Sequence, residues 1–523
     1  MQTEEDALQP AEPGAPAGPI GTLLAWETGM GKTVVTIQLV CLTYKEGPTL
    51  ILCPNIEIAL QWRSEIEKFS RGLSVLVYHS VDTNSTEYKK DCAEIQKYDI
   101  VLATYHQARS QHDYLTRAQR GELPLAQTKE YPFFRCRWHR IVGDEAHQLR
   151  NPAGAAAAAC CALPRRVALA LTATPLQNHP CDLQPLLRFL GRECPGLGRV
   201  RDFRALGAAR FAVPGGEARS FEEIFRECVI HRRKVSRDGV PCIGLPRRHD
   251  HSPMRVVLDA ALAALYHYIL TWHVHKCVLD KFVRLRQVCL DPRLLLRPLS
   301  DDGEELAREA EGQDMRHVVE EVSQSWSSAS IHAQAAEGAD SLDIRRLPQR
   351  VRPLRHLFKA DYVPPVIQTA LETLEKIRRR SRGQDKTIVY STFRGPLETL
   401  STHLRGLNVG HVTYNGKTTA TERAAALERI ATDPACKVLL MTIQSGGMGL
   451  NVTACNHVVF LEPWWNPYLE EQAVGRVYRI GQEKPVHVYR VLVEDTVQTA
   501  DVVPIQSEKR KHIDSLLKLV EIL

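Results

Sequence analysis

The stretch Leu23-Leu24-Ala25-Trp26-Glu27-Thr28-Gly29-Met30-Gly31-Lys32-Thr33 decides the fold. Its apolar start predicts a short strand over residues 23–26, and residues 33–44 predict a helix. Between them, Gly29 and Gly31 permit a tight turn. A loop that leaves a strand and opens a helix turns backbone N–H groups and the helix N-terminus toward phosphate oxygens. Gly29, Met30, Gly31, Lys32 and Thr33 are therefore the candidate nucleotide cradle. Lys32 would reach the β- and γ-phosphates and the Thr33 hydroxyl would ligate Mg2+. The spacing G-x-x-x-x-G-K-[ST] is met except that Trp26 holds the first glycine position. Read alone, the same residues also suit a Gly-rich turn with a solvated lysine.

Outward from this loop the chain alternates strands and helices. Strands are expected at residues 49–53, 73–78, 99–103, 140–142 and 167–172, with a helix at 58–69. Apolar runs of this length between helices read as a parallel sheet covered on both faces. Residues 180–300 read as mainly helical. The acidic run Asp301, Asp302, Glu304, Glu305, Glu309 and Glu311, followed by a Ser/Ala-rich tract, reads as a flexible insertion, and a basic run from Arg345 to Lys359 follows it. A second α/β pattern starts near Asp361, with strands expected at 387–391, 411–414, 437–442, 457–461 and 486–492. The expected fold class is α/β: two parallel-sheet lobes joined by a helical and flexible insertion. The boundaries are a disordered Pro/Ala/Gly-rich segment 1–19, a first lobe with its helical extension 20–235, the insertion 236–360 and a second lobe 361–523.

A chain of 523 residues has room for two to four domains with sizeable cores. Its apolar fraction of 44% rules out wholesale disorder. A net charge of +6, from 67 basic and 61 acidic side chains, fits a local basic surface better than a polycationic binder. The 14 cysteines contain no C-x-x-C, so free thiols in a reducing compartment and no zinc are expected. The start of the chain is acidic and lacks an apolar core, so no secretory signal is expected. No apolar run of about 18 residues suggests a membrane span. A soluble, intracellular protein without a membrane partner is the expectation.

Three further segments carry chemistry. Asp144-Glu145-Ala146-His147 follows the apolar Ile141-Val142. A carboxylate at a strand end can hold Mg2+, and its neighbour can polarise an attacking water. Asp144 is assigned to the metal and Glu145 to the general base; in isolation the segment also reads as an exposed acidic loop. Leu171-Thr172-Ala173-Thr174-Pro175-Leu176-Gln177-Asn178 offers hydroxyls and an amide, Gln177 foremost, that could sense a γ-phosphate; an ordinary polar turn is the other reading. Finally, Pro463-Trp464-Trp465-Asn466-Pro467 precedes Gln472-Ala473-Val474-Gly475-Arg476-Val477-Tyr478-Arg479-Ile480-Gly481-Gln482. Arg476 and Arg479, three apart on what reads as one helical turn, suit a charged clamp on phosphates.

The order of these segments resembles the Swi/Snf-type ATPases of helicase superfamily 2. Leu52-Cys53-Pro54, Leu60-Gln61-Trp62, Gln148-Leu149-Arg150-Asn151 and Gln444-Ser445-Gly446-Gly447-Met448-Gly449-Leu450-Asn451 match that pattern. Leu285-Arg286-Gln287-Val288-Cys289, with Pro292 and Leu294, resembles the branch of helicase-like transcription factors and postreplication-repair ATPases. The likeness runs from about Gly21 to the C-terminus. It implies two RecA-like lobes, ATP and Mg2+ as cofactors, and double-stranded DNA, with nucleosomes as a further candidate partner. It makes Arg476 and Arg479 arginine fingers, adds Gly449 to the nucleotide site, and puts Gln177 among the catalytic residues. It places DNA contacts at Thr104, Tyr105, Ser391, Thr392, Ser445, Gly446 and Gly447, where hydroxyls and N–H groups would hold backbone phosphates. Arg232-Arg233-Lys234 would contact DNA or brace the lobes. Nuclear residence also follows from the resemblance.

Three departures from the pattern stand out. No aromatic-Gln adenine motif precedes the loop, so weaker adenine selectivity or a truncated chain is expected. Trp26 replaces the usual aspartate before Glu27. Residues 296–385 hold no cysteine, so no RING zinc module is expected there. The leading function is an ATP-driven translocase on duplex DNA in remodelling, repair or transcription. The alternatives are a catalytically impaired nucleic-acid scaffold, opposed by the intact Lys32, Asp144, Glu145, Arg476 and Arg479, and a DEAH-type RNA helicase, opposed by the segments 464–467 and 479–482.

Overall fold

The computed structural model describes residues 20–78, 91–123, 130–175, 180–192, 194, 196–197, 200, 206, 209–211, 218–234, 244–271, 278–297, 352–416, 418–446 and 450–518. Internal packing divides the chain into two compact units. One comprises the chain up to Ala25, Lys32–Pro175 and His179–Ile230; the other comprises Trp26–Gly31, Leu176–Asn178 and His231–Leu523.

The first sheet is built from β1 (Ile20–Trp26), β2 (Thr49–Cys53), β3 (Val75–Val77), β4 (Ile100–Thr104), β5 (Trp138–Asp144), β6 (Arg165–Leu171) and β9 (Val229–Arg232). Their order is β3-β4-β2-β5-β6-β1-β9. Neighbours from β3 through β1 pair in parallel, so the segments that follow β1, β2, β4, β5 and β6 all leave from one edge. That edge collects the segments that open at Glu27, Pro54, Tyr105, Glu145 and Thr172, as is usual for open parallel sheets. β2 and β4 are buried along their whole length, which is why they read as unbroken apolar runs. Between β2 and β3, the helix Ile56–Phe69 buries Ile58, Ala59, Trp62 and Ile66 as one stripe. The Asn55 side chain starts it by accepting the Ile58 N–H at 2.9 Å.

The second sheet runs β10 (Arg248–Asp250), β16 (Val486–Val493), β15 (His457–Phe460), β12 (Thr387–Ser391), β14 (Cys436–Thr442) and β13 (Gly410–Tyr414), with β11 (Met254–Val256) pairing β16 further along. All these pairs are parallel. β12, β14 and β15 fill the centre with Ile388, Val389, Tyr390, Leu439, Leu440, Met441, Val458, Val459 and Phe460. The helix Pro365–Arg380 opens on a proline and closes on three arginines, both matched to the helix ends they occupy.

The expected class, two parallel-sheet α/β lobes, is the observed one. The mainly helical reading of residues 180–300 agrees with the described residues there. That region also holds β9, β10 and β11, and the antiparallel pair β7 (Arg210–Phe211) and β8 (Arg219–Ser220). The expected disordered and insertion segments, residues 1–19 and 301–342, lie outside the described residues. Among the described residues, no helix is long and apolar enough to cross a membrane, and no three metal-ligating side chains converge.

Candidate active site

In the first unit the chemistry gathers on the last residue of β5. The Trp62 indole N–H donates to Asp144 Oδ2 at 2.8 Å, and the Glu145 N–H donates to Asp144 Oδ1 at 3.0 Å. The Tyr105 hydroxyl donates to the Asp144 carbonyl at 2.9 Å. A Cβ at Gly143 would lie 2.8 Å from that hydroxyl, so only glycine lets the tyrosine reach it. Burial pushes the Asp144 carboxyl up to about 6, and the neighbouring Glu145 charge adds to this; the Trp62 N–H and the Lys32 ammonium pull the other way. Lys32, the first residue of the helix Lys32–Thr43, is thus close enough to act on this carboxylate, and Thr33 follows it on the same turn. A desolvated carboxylate that resists ionisation is one that a bound cation would relieve.

Glu145 holds the left-handed conformation, φ 47°, which a non-glycine residue adopts at some cost. Its Oε2 stands 3.4 Å from His147 Nδ1, and that nitrogen lies 3.3 Å from Thr172 Oγ. Thr172, just past β6, also accepts the Thr174 N–H at 3.1 Å. The acid segment after β5 and the threonines after β6 are therefore joined through one imidazole. Gln177 lies outside the described residues.

Thr104 and Tyr105, expected at a DNA strand, are both turned inward. Thr104 caps the helix Tyr105–Gln119 in a reciprocal box with Gln107. Tyr105 is 5% exposed and spends its hydroxyl on Asp144. Tyr105 thus shapes the acid segment, while the Thr104 side chain is spent on the start of its helix.

In the second unit, the helix Pro467–Val474 ends before the two arginines. Gly475 begins a run of turns, so Arg476 and Arg479 stand beyond the helix and not on one turn of it, as the spacing had suggested. Arg476 is buried, its carbonyl accepts the Val452 N–H at 3.0 Å, and its charge holds down the Tyr390 hydroxyl that burial otherwise pushes up. Arg479 Nη1 donates to the Leu450 carbonyl at 3.1 Å. Gln482 locks the end of the segment by donating to the carbonyls of Thr453, Cys455 and Val477. The loop Trp26–Gly31 packs with this unit. Gly29 and Gly31 have φ of 80° and 85°, the left-handed region that glycine enters freely. Met30 is buried.

Ser391, the last residue of β12, and Thr392 just past it are also buried. The Ser391 hydroxyl and the Thr392 N–H both donate to Glu462 Oε1. Burial pushes the Glu462 carboxyl up, while the Arg286 charge opposes the shift. Arg286 is fully buried over the faces of Phe393, Trp464 and Trp465, its carbon centre 5.7, 5.0 and 5.0 Å from the ring centres. The tryptophan pair is buried in packing. Ser445 is buried and accepts from the Thr442 hydroxyl at 2.8 Å. Gly446 ends the short helix Ile443–Gly446; Gly447 and Gly449 lie outside the described residues. Sequence reasoning missed Trp62, Tyr105, His147, Arg286 and Glu462 as organisers of the site. Trp62, Tyr105, His147 and Arg286 fell within quoted motifs but were given no such role, and Glu462 was not singled out.

Two family models match: the SNF2-related domain over residues 16–293 and the helicase conserved C-terminal domain over residues 369–481. An uncharacterized ATP-dependent helicase of Schizosaccharomyces pombe is 25% identical over 95% of this chain and 58% of its own length. DNA repair protein RAD5 of Yarrowia lipolytica is 26% identical over 94% of this chain and 55% of its own. The helicase-like transcription factor of Mus musculus is 25% identical over 88% and 50%. The chain thus spans about half the length of these three relatives. A solved chain, the Sulfolobus solfataricus SWI2/SNF2 ATPase core in complex with dsDNA, aligns over 96% of this chain and 93% of its own at 22% identity, with a TM-score of 0.34.

Proposed function

Because this chain belongs to the SNF2-related family, we propose that it hydrolyses ATP, that duplex DNA stimulates the turnover, and that the chain moves along the duplex in remodelling, repair or transcription. The observation that carries the reading is the Asp144–Glu145 pair at the end of β5, with Trp62 and Lys32 both acting on Asp144. The donor set fits Mg2+–ATP: a desolvated carboxylate, a lysine and a hydroxyl at a helix start, and a loop with two left-handed glycines. Bound there, Mg2+–ATP supplies the transferable phosphoryl group and the metal's charge.

The chain's own residues then have separable tasks. Lys32 would orient the triphosphate, and Thr33 and Asp144 would hold the metal. Glu145 orients a water and takes its proton. The His147 imidazole beside it links Glu145 to Thr172, so a change at the phosphate is felt past β6. Arg476 and Arg479 keep the arginine-finger role that the resemblance implies. Gln177, Gly449 and Gly447 keep the roles that the resemblance implies. Ser391, Thr392, Ser445 and Gly446 lie at or just past the C-terminal ends of their strands, where a backbone phosphate could meet N–H groups. Nuclear residence, nucleosomes as substrates, and lobe boundaries at 20–235 and 361–523 belong to the same reading.

The test compares duplex DNA, single strands and RNA as stimulators of phosphate release. The reading expects duplex DNA to stimulate most, with a steep salt dependence. Stimulation by RNA alone would overturn it in favour of an RNA-dependent enzyme.

A further inference from the structure

Arg232 and Lys234 of the basic run are spent on the phosphate loop and the arginine segment, and every partner below belongs to the second unit. The Lys234 N–H donates to Glu27 Oε2 at 3.0 Å, and the Glu27 N–H donates to the Arg232 carbonyl at 3.1 Å. The Arg232 guanidinium lies 4.8 Å over the Trp26 ring. The Lys234 side chain turns the other way. It is 5% exposed, its ammonium donates to the Tyr478 carbonyl, and it stands 5.0 Å from the centre of the Tyr478 ring. Tyr478 sits between Arg476 and Arg479 in the chain.

Loop and segment also meet at their glycines. A Cβ on Gly29 would come within 2.4 Å of Arg479 Cβ, and one on Gly475 within 2.7 Å of Thr28 Cβ. The contact is therefore close to backbone on both sides, and its register has little slack. Burying an ammonium costs several kcal/mol unless a carbonyl and a ring face compensate it. Packing alone does not call for that charge, since methionine would fill the same space. A charge held on a carbonyl between the two arginines points to control of where those arginines stand.

We propose that Lys234 is a positioning residue for the Arg476–Arg479 segment. Its ammonium fixes the Tyr478 carbonyl, while its N–H fixes Glu27, so the phosphate loop and the arginines hold one register. The proposal rests on the ATPase reading above and deepens it: Lys234 acts on turnover through the arginines and does not hold nucleotide.

The experiment uses Lys234→Met, Lys234→Arg and Glu145→Gln in the full chain. It reads kcat and KM for ATP with duplex DNA, and hydrogen exchange of the amides of residues 475–482. Lys234→Met is expected to lower kcat roughly 10- to 100-fold, the scale of misplacing a catalytic group by about 1 Å. KM should move less than about threefold, and exchange at 475–482 should rise with the rest of the chain unchanged; Lys234→Arg should recover most of kcat. An unchanged kcat with unchanged exchange overturns the proposal. So does a loss spread over KM and over exchange throughout the chain, which is the mark of a merely structural residue. Glu145→Gln should lose hydrolysis while keeping wild-type exchange at 475–482. If the wild type releases no phosphate, the ATPase reading fails, and the exchange comparison still decides whether Lys234 holds the segment.

Discussion

At neutral pH the ionised Asp144 costs the native state free energy, and Asp144→Asn should remove that cost. Burial and then the Glu145 charge push this carboxyl up from 3.8 to about 6. At about 1.4 kcal/mol per pH unit, that gap is worth about 3 kcal/mol. Asp144 keeps some contact with solvent, so this is a ceiling. The sign follows from proton binding. Between pH 4 and 6 the native state holds the proton more tightly than the unfolded chain, so its stability falls as pH rises through that window. Below pH 4 both states are protonated and the cost is absent; above pH 6 it is fully present. Urea unfolding of wild type and Asp144→Asn from pH 4 to 7.5 reads this directly. The advantage of the asparagine variant should grow by about 2–3 kcal/mol between pH 4 and 6 and then level off. Mg2+ with ATP should stabilise the wild type and not the variant, because the cation needs the charge. A difference that stays flat across the range would refute the reasoning, since Asp144 would then titrate like a solvated carboxyl.

Other consequences can be measured separately. Tyr105→Phe removes the bond to the Asp144 carbonyl, should cost about 1 kcal/mol, and should lower kcat while leaving DNA affinity unchanged in a fluorescence titration; a weakened affinity would put Tyr105 at the DNA after all. Arg286→Ala removes the buried charge that opposes the upward shift of the Glu462 carboxyl and should destabilise the second unit by about 3–5 kcal/mol in denaturant unfolding; a loss under about 1 kcal/mol would show that this charge matters little. A Cβ at Gly21 would stand 2.4 Å from the Leu190 carbonyl oxygen, so Gly21→Ala should destabilise the first unit by about 1–3 kcal/mol. Burial and the neighbouring His457, His249 and His251 push His487 down to about 4. Its native state therefore binds fewer protons than the unfolded chain, and stability is lost as pH falls from 6.5 toward 4. His487→Gln should flatten that part of the stability–pH curve, and an unchanged slope would contradict the assignment.

The central strands of both sheets were legible because burial on two faces leaves long apolar runs. Residues 49–53 and 387–391 were read with the bounds of β2 and β12. β10, an Arg-His-Asp triplet, carries no such signal; it becomes a strand only by pairing with β16, a partner more than two hundred residues away. The positions of Asp144 and Glu145 were legible because a strand end and an acidic pair adjoin in sequence. What organises them was not, since Trp62, Tyr105 and Thr172 arrive from three other connections. The arginines misled in a different way. Their spacing of three is helical, but Gly475 ends the helix and leaves them on turns.

The most direct test of the account is phosphate release from ATP by the purified chain, with and without duplex DNA, beside Glu145→Gln. The account predicts DNA-stimulated release that the substitution abolishes while DNA binding persists. Release no greater than that of the variant, from a folded chain that still binds DNA, would contradict it and leave a nucleic-acid-binding scaffold.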